Sequence, residues 1–74
     1  MIHFEIEYFR WRPDDEAQPV CYRWQYLPSI EDAKEFAFAN LREPGSLEAP
    51  DGFRIREAGM IRAEVIINPP QFRS

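Results

Sequence analysis

The sequence holds a single cysteine, Cys21, and a single histidine, His3. An internal disulfide needs two thiols, and a structural zinc site draws about four ligands from those two residue types. No disulfide, metal site or cofactor is therefore expected. Apolar runs are short, and none approaches the roughly 20 residues that span a bilayer. The N-terminal stretch lacks a secretory signal pattern, so the expectation is a cytoplasmic protein with no membrane partner. Basic residues are outnumbered, nine against thirteen acids, for a formal charge of -4. With a pI near 4.9, an overall basic surface that coats nucleic acid is excluded. The three glycines are scattered and form no phosphate-cradling loop. There is no repeat and no low-complexity segment.

What is present suffices for one small globular domain. The 74 residues are 45% hydrophobic and 15% aromatic, too apolar for a disordered tail. A chain of this size buries only about 60% of its unfolded surface, so its core is marginal. Such domains often gain from a second subunit. The expected boundaries are one domain over residues 1–68 and a C-terminal tail over 69–74.

Periodicity sets the elements. Ile2, Phe4, Ile6 and Tyr8 alternate with His3, Glu5 and Glu7, the period of a half-buried strand. The apolar parity then passes to Phe9 and Trp11, so the strand ends near Tyr8 or contains a bulge. The acidic stretch 13–19, bounded by Pro13 and Pro19, reads as a loop. Val20, Tyr22, Trp24 and Tyr26 alternate with Cys21, Arg23 and Gln25 as a second strand, completing a hairpin. Ser29-Ile30-Glu31-Asp32 is a helix-start signature, a capping serine followed by acids that suit the helix dipole. Ile30, Ala33, Ala37 and Leu41 then form one apolar stripe, flanked by Phe36 and Phe38. Residues 42–52 are a polar connection. Phe53 and Ile55 alternate with Arg54 and Arg56. A turn at Ala58-Gly59-Met60 leads to Ile61, Ala63, Val65 and Ile67, which Asn68-Pro69-Pro70 ends.

The fold class is thus α+β: a ββαββ chain whose four-stranded sheet carries one helix on one face. The last strand is the most continuously apolar, which suits a central position. Arginines mark the second and third strands as edges. These cues give a β-grasp-like order, 2-1-4-3. The aromatics Tyr22, Trp24 and Tyr26 share parity with Val20 and are expected in the core beneath the helix.

Charge divides unevenly between elements. The strands carry Arg10, Arg12, Arg23, Arg54, Arg56 and Arg62 against four glutamates, a balance of +2, while everything else sums to -6. A turn at Gly59 would set Arg54 opposite Glu64 but Arg56 opposite Arg62, an unfavourable pair unless Glu5 or Glu7 neutralises it. Otherwise Arg23, Arg54, Arg56 and Arg62 form a face for an acidic ligand. Trp11, where parity changes, is the candidate aromatic anchor. His3 reads as solvated, Cys21 as a passive thiol, and Asp14, Asp15 and Glu16 as a loop tip without the alternation of a calcium loop.

No nucleophile, base and orienter can be named together, so no enzyme is expected. The expected function is a small non-catalytic protein-interaction module that binds a protein partner or a second copy of itself. Trp11, Arg23, Arg54, Arg56 and Arg62 are the candidate partner-binding residues, with Leu27 and Ile66 as outward apolar seeds. The alternative is single-stranded nucleic-acid binding through the arginine-bearing sheet face.

Overall fold

In the computed structural model, which describes residues 1–14, 16–41 and 50–69, the element order is β1 (Ile2–Trp11), β2 (Ala17–Leu27), α1 (Ile30–Ala39), β3 (Gly52–Glu57) and β4 (Met60–Ile66). The expected α+β architecture is present: one four-stranded antiparallel sheet with α1 packed on one face. The loop and connection residues 15 and 42–49, and the tail 70–74, lie outside the described residues.

The strand order is β2-β1-β3-β4, which corrects the expected 2-1-4-3. The physical reason lies in which strand is apolar where it counts. Phe53 and Ile55 of β3 are fully buried beside Ile6 and Tyr8, whereas β4 leaves Met60, Ile61 and Ile66 exposed. Continuous apolarity in β4 marked a strand greasy on both sides of an edge, not a central one. Arg54 and Arg56, read as edge guards, sit on a central strand because a carboxylate waits between them.

β1 forms the middle of the sheet. Its even residues Phe4, Ile6 and Tyr8 point to the helix and join Phe53, Ile55, Ala33 and Ala37 in the core. Burying a large apolar side chain is worth roughly 1.5–3 kcal/mol, so this cluster supplies most of the driving force. The alanines, both at 0% exposure, let α1 lie close enough for the Tyr8 hydroxyl to donate to the Ala37 carbonyl at 2.7 Å. Ser29 caps α1 as its sequence foretold: Oγ accepts the Asp32 amide at 3.3 Å and donates to Asp32 Oδ2 at 2.9 Å. Asn40 closes the other end, donating its side-chain amide to the Phe36 carbonyl at 2.8 Å.

Two irregularities adjust the ladders. Tyr8 faces Cys21 but Phe9 faces Pro19, so Val20 is the extra residue of a bulge in β2. A bulge thus lies at Tyr8/Phe9 as expected, but its extra residue is on β2; β1 continues to Trp11, and its apolar side passes to Phe9 and Trp11, away from α1. In the last hairpin the two-residue loop Ala58-Gly59 has positive φ at both positions, 51 and 82, as a type I′ turn requires. Arg54 faces Glu64, but Arg56 faces Ile61, because Arg62 bulges out of the ladder. The feared arginine pair is thereby avoided. No helix among the described residues is long and apolar enough to cross a membrane.

Candidate sheet-face interaction site

The face of the sheet opposite α1 is built from the odd residues of β1. His3 pairs with Tyr26, Glu5 with Trp24, and Glu7 with Tyr22 on one flank. Glu5 pairs with Arg56, Glu7 with Arg54, and Phe9 with Gly52 on the other. Tyr22, Trp24 and Tyr26 therefore do not enter the core, as their parity with Val20 had suggested. They stand in a row on the uncovered face, 41%, 57% and 61% exposed. Hairpin register decides this. Leu27, the last residue of β2 before the helix cap, pairs with Ile2 and packs against the core, and so turns Tyr26, Trp24 and Tyr22 the other way. The same constraint removes Leu27 from the outward seeds, while Ile66 is exposed as expected.

The rings are ordered against each other. Tyr22 and Trp24 stack at 6.1 Å with an 18° tilt, and Tyr26 leans on His3 at 4.8 Å. Desolvation and the nearby Glu7 carboxylate raise the Tyr22 hydroxyl above its ordinary pKa; Glu5 adds to the shift and Arg56 opposes it.

Glu7 organises the charge. Only 5% exposed, it holds Arg56 Nη1 at 3.0 Å with one oxygen and Arg54 Nη1 at 3.4 Å with the other. Arg54 also gives Nε to Glu64 at 2.6 Å and lays its guanidinium over the Phe9 ring, 5.0 Å from the centroid. A buried carboxylate needs such partners, and two arginines share its charge. Phe9 is itself fully buried without touching the helix layer, closed over by Arg54 and by the edge of Trp11 at 5.2 Å.

The candidate partner residues are thus dispersed. Arg54 and Arg56 belong to this face, engaged with glutamates. Arg23 pairs with Ile6 and lies on the α1 side, where its charge acts on the Tyr8 hydroxyl. Arg62 stands 3.8 Å from Glu57. Trp11 is half-buried and tied down, its indole N–H donating to the Asn68 carbonyl at 2.6 Å and its amide to Asp51 Oδ2 at 2.8 Å. It closes the β1–β3 end of the sheet and is not a free anchor. The exposure of the rings on β2 is what parity reasoning missed; Glu7, expected to neutralise Arg62, holds Arg54 and Arg56 instead.

Chemically, the face offers flat, preordered aromatic surface with its cations already paired. Among the described residues, no three His, Cys, Asp or Glu side chains converge as a metal site would require. Compared with known protein families, curated proteins and solved structures, the chain matches none.

Proposed function

We propose that the chain is a small non-catalytic protein-interaction module, and that its docking surface is the sheet face opposite α1, centred on Tyr22, Trp24 and Tyr26. One observation carries the reading: three large rings in a row remain exposed on a face that nothing among the described residues covers. Tyrosine and tryptophan bring large contact area with few rotors, which is why they dominate the energetics of protein interfaces. Here the rings lose little further freedom on binding, because Tyr22 is stacked on Trp24 and Tyr26 lies against His3. The proposed setting is the cytoplasm, where an exposed free thiol such as Cys21 stays reduced.

The near-parallel Tyr22–Trp24 pair also favours a second reading, single-stranded nucleic acid stacked on the same rings. Phosphates need cations, however, and Arg54 and Arg56 are engaged by Glu7 and Glu64. Protein is the better fit.

A photo-cross-linking benzophenone amino acid separates these outcomes. Placed at Tyr26 it is expected to trap protein in native lysate, whereas at Glu35 on the far side of α1 it traps none. Adducts from position 35 alone, or none from position 26, would sink the reading. So would oligonucleotide binding at tens of micromolar whose affinity falls steeply between about 50 and 200 mM salt.

A further inference from the structure

We infer that the outer edge of β2 takes a second copy of this chain, the two β2 strands pairing antiparallel about a two-fold axis at Trp24. The inference goes beyond the docking reading above: it assigns the edge beside that face and leaves the face itself open.

β2 ends the sheet, so the outward N–H and C=O groups of its main chain have no partner strand among the described residues. Exposed edges are usually blunted by bulges, prolines or charge. The opposite edge is blunted in this way: β4 is interrupted by the bulge at Arg62 and carries Arg62 and Glu64 within its short length. β2 is not. From Cys21 to Leu27 its pairing with β1 is regular, with no proline and one charge, Arg23. Val20 and Pro19 limit this run at one end and Pro28 at the other.

Symmetry then fixes the register. Two identical antiparallel strands keep the same face up only when the axis passes through a residue, because directly opposed residues share a face. Laying Cys21–Leu27 fully on its copy puts that axis at Trp24. Trp24 then faces Trp24, Arg23 faces Gln25, Tyr22 faces Tyr26 and Cys21 faces Leu27. Every aromatic meets an aromatic, the pairing that favours antiparallel ladders, and no like charges are opposed. Moving the axis to Arg23 would set two guanidinium groups against each other. Moving it to Tyr22 or Gln25 would bring Pro19, which has no N–H, or Pro28 into the ladder. In the Trp24 register the ring rows of both copies join into one stripe across the open face.

Disulfide trapping tests the register directly. In a Cys21→Ser background, Trp24→Cys places two thiols on the axis, where opposed α-carbons stand about 4.5–5.5 Å apart, within disulfide reach. Tyr22→Cys puts the thiols about 13 Å from each other along the strands. Ala63→Cys probes the β4 edge. Oxidation is expected to link the Trp24→Cys chains at least about tenfold faster than either control. Trp24→Lys gives a second readout. The new ammonium meets Glu5 within its own chain, so the fold is kept, but meets its like across the axis.

Sedimentation equilibrium over roughly 10 to 500 µM should show the wild type moving from 8.8 kDa toward twice that mass, with Trp24→Lys weakened about tenfold or more. A wild type that stays monomeric throughout, or Ala63→Cys linking as fast as Trp24→Cys, overturns the inference. Monomer together with adducts from position 26 to a different protein would overturn this pairing alone and leave the docking face standing.

Discussion

Tyr8 ties the sheet to the helix with a single atom. Burial, reinforced by the nearby Cys21 thiol and opposed by Arg23, pushes its hydroxyl up to about 12 from an ordinary value of 10.0. The fold therefore favours the protonated phenol, which alone can donate to Ala37. The sign follows from that. The contribution is complete below pH 10 and is lost as pH climbs through 12, a decline of about 2–3 kcal/mol. Tyr8→Phe forfeits the hydrogen bond, about 1 kcal/mol at pH 8, but has no phenol to ionise. In urea denaturation at stepped pH, the wild type is expected to start more stable and lose its lead between pH 10 and 12. A constant gap across that window would mean the hydroxyl is not held by the fold.

Among the elements, β1 and α1 were the most legible in the sequence. The alternation Ile2, Phe4, Ile6, Tyr8 has only one apolar side over its first half, and Ser29 with the alanine stripe leaves one way for the helix to lie. β2 was not legible by alternation alone, because either of its sides tolerates water: one has rings with polar tips, the other a thiol, an arginine and an amide. The resolving signal was Leu27, whose place beside the helix cap commits its side to the core. β3 misled for a different reason. Arginine in a strand signals an edge unless a carboxylate is folded against it, and that depends on which strand becomes its neighbour. Gly52 was equally silent. In place it lets the Phe9 ring cross β3, for a Cβ there would stand 2.6 Å from Phe9 Cζ and 2.5 Å from the Val65 carbonyl oxygen. The ring tip has some freedom; the backbone oxygen has little. Gly52→Ala is therefore expected to cost about 2–3 kcal/mol, lowering the melting temperature by roughly 10 °C or more. Thermal denaturation followed by circular dichroism checks this, and a shift within about 2 °C would show that β3 and β4 can separate cheaply at that end.

At the scale of the whole molecule, an overall charge of -4 coexists with two neighbouring arginines, Arg54 and Arg56, on the open sheet face. The charge count was readable from composition and its arrangement only in part: Glu7 is expected to neutralise Arg62, whereas it is buried and holds Arg54 and Arg56 instead. That carboxylate leaves the open face an aromatic surface with its guanidinium groups paired and a slight acidic excess, Glu5, Glu7 and Glu64 against Arg54 and Arg56. Glu7→Gln keeps the side chain's shape while removing the charge that Arg54 and Arg56 share; Arg54 keeps Glu64. Breaking a largely buried pair costs up to about 3–5 kcal/mol; because both arginines reach water, about 2 kcal/mol is expected, read as a lower urea midpoint. The same variant separates the two binding readings. If the rings serve nucleic acid, releasing Arg56, and Arg54 from one of its two carboxylates, should tighten oligonucleotide binding about tenfold, with a steeper salt slope. If they serve protein, neither the wild type nor Glu7→Gln binds oligonucleotide at tens of micromolar. The second result is expected, since phosphate contacts need cations that the native fold commits to its own carboxylates.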